Sequence, residues 1–566
     1  MMACLKHYAL YGGAEAGRDY NTVDMSRQRA FNEYMYPYQA AVEAGAGSFM
    51  SSFNEFEGQP ATVNKYLLDD VLREQWGFDG FVVTDYQAIM ETTRHGIGDE
   101  ETVGARALDA GVDMDMMSFN FVRTLENSLK KGLVSMDLID QACRRILEAK
   151  YKLGLFDDPY RYCDADRSRN TLGNARFVKQ TRETATETFV LLKNEKDLLP
   201  LSKDARVALI GPMADRANDM VGSWSGYSKT VPSVSIREGI EKAMGHSVPY
   251  AVGSWLVEDR ELEVVLETRE MGLNRTNIDP DTIHARSEED LLKEALAVAD
   301  KADIILAVLG ENFNMNGEGS SRAHPIIPEP QQRLLEALTA TGKPVVVLLV
   351  TGRPLVLTGA AQKADAILNV WFPGIQGGHA VADVVFGDVN PSGKLTMSFP
   401  RSIGQLPYSY NHKNTGRPWG DDDFYFPTRS NYMDVVNGPL YPFGYGLSYT
   451  SFAYSNFALD TNHIGMDGRV TASVTLTNTG KRSGKEVVQL YIRDIYATST
   501  RPVKELKRFA KVELQPGESR RVEFTLTTED LKYYNHELEY VCEPGDFEIM
   551  VGPDSKQVQT LKLTVE

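Results

Sequence analysis

Cysteine is scarce in this chain. Four of the 566 residues are Cys (Cys4, Cys143, Cys163, Cys542), and they lie far apart with no CxxC pair. That spacing argues against both a disulfide scaffold and a structural zinc site. Positive charge is also short: 60 Lys and Arg stand against 78 Asp and Glu, a formal net charge of −18 at pH 7. Nucleic acids and anionic membrane surfaces attract basic patches, so neither is expected as the main partner. No apolar run reaches the roughly 18–20 residues that a membrane span requires. Met1–Leu5 has no basic stretch leading into an apolar one, so it does not read as a signal peptide. Internal repeats and low-complexity segments are missing. The phosphate loop GxxxxGK(S/T), a convincing GxGxxG and the nucleophile elbow GxSxG are absent too. His95, His324, His379 and His412 lack metal-ligand spacing, so no metal or cofactor is expected.

What is present is the composition of a globular enzyme: 42% hydrophobic, 10% aromatic and 24% charged residues. At roughly 150 residues per domain the length suggests three or four domains. Residues 1–158 alternate short apolar strands (Ala3–Leu10, Ser48–Ser52, Gly80–Val83, Val112–Met116) with helical stretches. One helix is capped by Asn64, carries Leu67, Leu68, Val71 and Leu72, and stops at Gly77; another starts at Ser135 and ends at Gly154. Repeated βα units imply a parallel sheet, and four units amount to half of an eight-unit barrel. A polar, Arg-rich linker over 159–183 leads to an α/β region at 184–400. Its strands Val207–Ile210, Ile304–Leu309, Val345–Val350 and Ala366–Val370 are continuous apolar runs, as expected when both faces of a sheet are covered. Residues 401–450, rich in Tyr, Asn, Gly and Pro, read as a long ordered loop. Over 451–566 the period changes to two: Val470, Ala472, Val474 and Leu476 alternate with polar residues, as do Val522, Phe524 and Leu526. Turns at Asn478–Gly480, Pro516-Gly517 and Pro544-Gly545 complete the pattern of an antiparallel β-sandwich.

The candidate chemistry is carried by carboxylates. Asp85 leaves the C-terminal end of a buried strand, where parallel sheets place their reacting groups, and Tyr86 beside it offers a ring face to a sugar. Glu318 sits between two glycines in the loop Asn316–Arg322, and Glu311, just after its strand, is an alternative acid. Lys6 and His7 supply donors at the first strand's end, and Arg18-Asp19 offers a positioning pair in the following loop. Each of these has a bland reading: a helix-capping Asp, a solvated loop acid, a structural His, a surface ion pair. Taken together, two carboxylates from two domains over Lys, His, Arg and aromatic groups are what glycoside hydrolysis needs. One carboxyl protonates the leaving oxygen and the other meets the oxocarbenium-like carbon.

These residues stand in longer stretches that resemble glycoside hydrolase family 3, most closely its bacterial β-glucosidases of the periplasmic type. The stretches are CLKHYALYGGAEAGRDYN (4–21), GAGSFMSSFN (45–54), WGFDGFVVTD (76–85), AGVDMDM (110–116), GEGSSR (317–322), NPSGKLTMSFP (390–400) and YPFGYGLS (441–448). The resemblance implies part of a TIM-type barrel, an α/β sandwich and a fibronectin type III-like domain. It puts Asp85 at the nucleophile position and Glu318 at the general acid/base position. It puts Lys6, His7, Arg18, Asp19 and Met50 around the non-reducing-end sugar. A retaining double displacement follows, for which carboxyl groups about 5–5.5 Å apart are expected.

Barrels of this family begin before the KH-containing strand, so the expectation is an N-terminally truncated barrel with four βα units and an open edge. The leading function is a retaining exo-acting β-glucosidase acting on a β-glucoside or oligosaccharide. A β-xylosidase or related pentosidase is the rival enzyme, and a non-catalytic fragment or carbohydrate-binding relic is the rival class. Thr84-Asp85-Tyr86 with GEGSSR leans toward glucosides. No His-Asp pair in the short loop form of the family's N-acetylglucosaminidases is present. A periplasmic or secreted location and a homodimer are expectations from the resemblance. Tyr408, Tyr410, Arg417 and Trp419 are expected to wall the aglycone side or to meet a second subunit.

Overall fold

The computed structural model describes residues 2–225, 231–268, 279–423 and 425–566. Two compact units emerge: Met1–Arg169 with Tyr533–Val541, and Asn170–Lys532 with Cys542–Glu566.

In the first unit, three strands lie side by side in sequence order and parallel: β1 (Cys4–Tyr8), β2 (Ser48–Ser51) and β3 (Phe81–Val83). Successive parallel strands with helical crossovers form the wall of a barrel, here a partial one that does not close into a ring among the described residues. The helix Tyr66–Gln75 forms where its pattern says it should. The Asn64 side chain accepts the Leu67 amide at 3.1 Å, and Leu67, Leu68, Val71 and Leu72 are buried. Ser135 likewise caps Met136–Lys152 through the Leu138 amide.

The expected fourth strand, Val112–Met116, is reduced to a single bridge between Val83 and Met114. The segment still runs beside β3, with the Met114 amide donating to Val82 O and the Thr84 amide to Met114 O, and the Asp113 side chain (residue 8% exposed) adds to this by accepting the Val82 amide at 2.8 Å. Arg73 at 2.7 Å and Arg145 at 2.9 Å grip the same carboxylate. Periodicity alone cannot separate such a segment from a strand. The hairpin Tyr533–Val541 also belongs to this unit. The Tyr534 amide donates to Asn32 Oδ1, its carbonyl accepts from Gln28 and Asn32, and its ring lies 4.8 Å from Phe31.

The second unit begins in the linker, which is helical rather than irregular, with helices Ala165–Thr171 and Ala175–Thr188, the latter capped by Asn174. Six strands follow: β4 (Val190–Asn194), β5 (Val207–Ile210), β6 (Tyr250–Ala251), β7 (Ile304–Gly310), β8 (Val345–Val350) and β9 (Ala366–Asn369). Their order is β4-β9-β8-β7-β5-β6, all parallel except the edge strand β4. The apolar runs are continuous because alternate residues enter different cores. Leu306, Val308, Val346 and Leu348 pack on one face; Ile305, Ala307, Val345 and Val347 pack on the other.

The fibronectin type III-like sandwich has a three-stranded sheet (Phe452–Leu459, Arg469–Asn478, Ser519–Thr527) and a five-stranded one. The inward row Val470, Ala472, Val474, Leu476 meets Val488, Leu490 and Ile492 in one core. The 401–450 segment has almost no regular structure and folds onto this sandwich. The Tyr410 hydroxyl accepts the Leu506 amide at 3.1 Å, and the His412 carbonyl accepts the Val503 amide at 2.9 Å. Tyr410, expected to face an aglycone or a second subunit, is therefore engaged within its own unit.

Candidate active site

Asp85 emerges two residues after β3, in a chain held by its neighbour segment. The Thr84 amide donates to Met114 O, and the Thr84 hydroxyl accepts the Met116 amide at 2.9 Å. Asp85 is buried, 8% exposed. Its Oδ1 accepts the Tyr86 amide at 2.7 Å, and its Oδ2 lies 3.1 Å from His7 Nε2, which comes from β1 two strands away. His7 is set from behind: its carbonyl accepts the Tyr38 hydroxyl at 2.5 Å, and its ring meets Tyr11 edge-on at 5.1 Å. A carboxylate with one oxygen held by a backbone amide and the other buried beside an imidazole, without a hydrogen bond of its own among the described residues, can serve as a positioned nucleophile or as a charge that stabilises a cation.

The structure thus joins Asp85 with His7 directly. Met50, half-buried on β2, pairs in register with Val83, two residues before Asp85. Tyr86 is 52% exposed beside the carboxylate, a ring presented to solvent rather than to the core. Lys6 is exposed next to His7 on β1. Arg18 is exposed on the loop after the turn Glu15–Gly17, and the neighbouring Asp19 carboxylate accepts the Tyr20 amide at 3.0 Å.

Glu318 lies in the second unit, half-exposed at the tip of the loop that follows β7. Gly317 (φ +85°) and Gly319 (φ +66°) flank it in the left-handed region that L side chains avoid. A Cβ at Gly317 would stand 2.7 Å from Ser223 Oγ, so the site excludes any larger residue. Beneath the tip the loop is anchored. Glu311, fully buried, accepts from Arg322 (2.6 Å), Asn316 (2.9 Å) and Thr351 (2.9 Å), with Arg353 Nε at 3.4 Å. Arg353 also donates to the carbonyls of Ser320 and Met315. Glu311, considered as an alternative acid, is committed to this network and has no exposed surface for a substrate.

The sequence reading missed these anchors: Asp113 with its two arginines, and Asn316, Thr351 and Arg353 around Glu311. A lone acid followed by distant Arg and Thr carries no local signal. The one hint was that Arg322 stands four residues after Glu318 in the same motif. Trp224, 65% exposed with φ +63°, was missed as well; its ring comes within 3.7 Å of a Cβ at Gly317.

Comparison with known proteins shows the family. The glycosyl hydrolase family 3 N-terminal domain matches residues 1–149, the family's C-terminal domain 189–449, and a fibronectin type III-like domain 486–555. The chain is 46% identical to a periplasmic β-glucosidase of Salmonella typhimurium, over 99% of this chain and 73% of that protein. It is 38% identical to a β-xylosidase of Formosa agariphila, over 100% of this chain and 76% of that protein. A β-glucosidase from Listeria innocua, solved in complex with isofagomine, superposes with a TM-score of 0.90 at 38% identity, covering 100% of this chain and 75% of that one. Sequence, fold and domain order together establish that the chain belongs to glycosyl hydrolase family 3.

Proposed function

We propose that the chain is a retaining, exo-acting β-glucosidase that removes terminal non-reducing β-D-glucosyl residues. The observation that carries this is the state of Asp85: nearly buried at a strand end, one oxygen held by the Tyr86 amide and the other facing His7 at 3.1 Å. In the first step an Asp85 oxygen bonds to the anomeric carbon as the aglycone oxygen leaves with a proton from Glu318. In the second, Glu318 takes a proton from water, the water oxygen bonds to the anomeric carbon, and Asp85 departs as carboxylate. Two inversions give net retention. Lys6, His7, Arg18 and Asp19 supply donors and acceptors for glucosyl hydroxyls. Met50 and Tyr86 supply apolar surface for the sugar ring. The Salmonella and Listeria relatives, both named β-glucosidases, support the glucosyl assignment. The Salmonella relative is named periplasmic, and no helix among the described residues is long and apolar enough to cross a membrane. A periplasmic or secreted location is proposed on that basis.

The β-xylosidase of Formosa agariphila, similar across the whole chain, keeps a pentoside reading as the rival. Side-by-side hydrolysis of nitrophenyl β-glucoside and β-xyloside, with the first-formed anomer followed by NMR, separates the two. A larger kcat/KM for the glucoside and initial release of β-glucose are the expected results. A xyloside preference, or initial α-anomer, would replace this assignment.

A further inference from the structure

Outside the catalytic loops, the 401–450 segment encloses two adjoining cavities in the second unit. One, of about 250 Å³, lies between this segment and the sandwich; the other, of about 390 Å³, lies within the segment. Tyr408, His412 and Trp419 line both. The larger lies within the roughly 300–1,000 Å³ of small-molecule sites and the smaller just below it. They suit a mono- or disaccharide rather than a polymer.

The walls have the character of a saccharide site. Rings and polar groups share the lining: Tyr408, His412 and Trp419 stand beside Asn414, Asp421 and Ser555 at the smaller cavity, and beside Gln405, Asn431 and Asn437 at the larger. Charge around the smaller cavity is balanced, with Asp421 and Glu548 against Arg493 and Lys504. An anion site would need an excess of cations, and a cation site an excess of acids. A balanced ring of donors and acceptors suits a neutral polyhydroxylated ligand. The segment is pinned rather than loose: Gln405 donates to the Val436 and Asn437 carbonyls, and the Tyr432 hydroxyl to Gly404 O. Finally, the indole N–H of Trp419 is buried without a hydrogen-bond partner among the described residues. Such a group calls for an acceptor, supplied by a ligand or a water.

We propose that this segment, with the face of the sandwich behind it, forms an ancillary binding site for a neutral β-linked mono- or disaccharide, separate from the site of Asp85 and Glu318. The test is calorimetric binding of thiocellobiose, whose sulfur linkage resists hydrolysis, to the 566-residue chain. Two classes of site are expected. Trp419→Phe, which keeps the ring and removes the N–H, and Asp421→Asn should each weaken one class by about five- to tenfold. Asp421→Asn should leave nitrophenyl glucoside hydrolysis within about twofold of the parent. Asp85→Ala should alter only the other class. The site is refuted if thiocellobiose shows a single class abolished by Asp85→Ala. It is equally refuted if folded Trp419→Phe and Asp421→Asn both bind as the parent does, the cavities then holding only water. Because the readout is binding, absence of glycosidase activity would count against the catalytic assignment and leave this one standing or falling by itself.

Discussion

Asp85 and Glu318 are held in opposite ways. Asp85 is built into the end of a strand: the residue is 8% exposed, one carboxylate oxygen accepts a backbone amide, and the other lies 3.1 Å from the His7 imidazole. Glu318 stands half-exposed between two left-handed glycines, and the order of its loop comes from below, where Glu311 gathers Arg322, Asn316, Thr351 and Arg353. The roles proposed for them explain the contrast. A nucleophile must meet one carbon along one line, so its freedom is removed in advance. A group that donates a proton and later accepts one from water has to remain reachable by solvent. The buried acid under the loop then acts as anchor and the exposed one as reagent.

Four experiments can break or sharpen that contrast. The largest effect is expected for Asp85→Ala, with kcat on nitrophenyl β-glucoside falling on the order of 10⁴-fold or more. Residual activity near the parent's would remove Asp85 from the chemistry. Glu318→Ala should cost about 10²–10⁴-fold on substrates with poor leaving groups. Its loss should be smaller on nitrophenyl glucoside, and added azide should restore turnover by replacing water at the second step. Equal losses on all leaving groups would argue against an acid role.

Glu311→Ala tests the anchor. It leaves Arg322 and Arg353 facing each other without a counter-charge and should lower unfolding free energy by about 3–5 kcal/mol. Denaturant titration reads this, and a loss below about 1 kcal/mol would show that the network is not what holds the loop. The smallest effect concerns a less well satisfied buried acid in the sandwich. Burial pushes the Asp494 carboxyl up to about 6, with Arg501 too far, at 3.9 Å, to compensate. Its folded value thus exceeds its unfolded one, so the folded state binds the extra proton between about pH 4 and 6. Stability from this group is present below that window and falls as pH rises through it. Asp494→Asn should flatten the slope, and an unchanged slope would assign it to other groups.

Much of this architecture could be read from the sequence, and the reasons differ by region. The α/β strands were legible because both faces of a covered sheet demand apolar residues, and the sandwich because one buried face enforces period two. Asn64 and Ser135 announced their helices through capping chemistry. The segment at 112–116 lies beside β3 as expected but pairs through a single bridge, and the bond from Asp113's side chain to the Val82 amide is one that periodicity does not encode. The edge strand β4 was overlooked because Val190–Asn194 is short and follows directly on a helix. The hairpin 533–541 joins the first unit through Asn32 and Phe31, some 500 positions earlier in the chain, a pairing no local pattern carries. For the site, the motifs named both candidate acids. The pairing of His7 with Asp85 and the anchoring of the Glu318 loop emerged only from the fold.

The account rests on Asp85 as the atom donor to the glycosyl intermediate, and trapping that intermediate tests it most directly. A 2-deoxy-2-fluoro-β-glucosyl fluoride slows the second step more than the first, because its leaving group is activated, so the covalent species accumulates. Peptide mass spectrometry after inactivation should find the fluoroglucosyl mass on the peptide containing Asp85 and on no other. An adduct on a different carboxylate, or steady turnover with no adduct, would contradict the assignment.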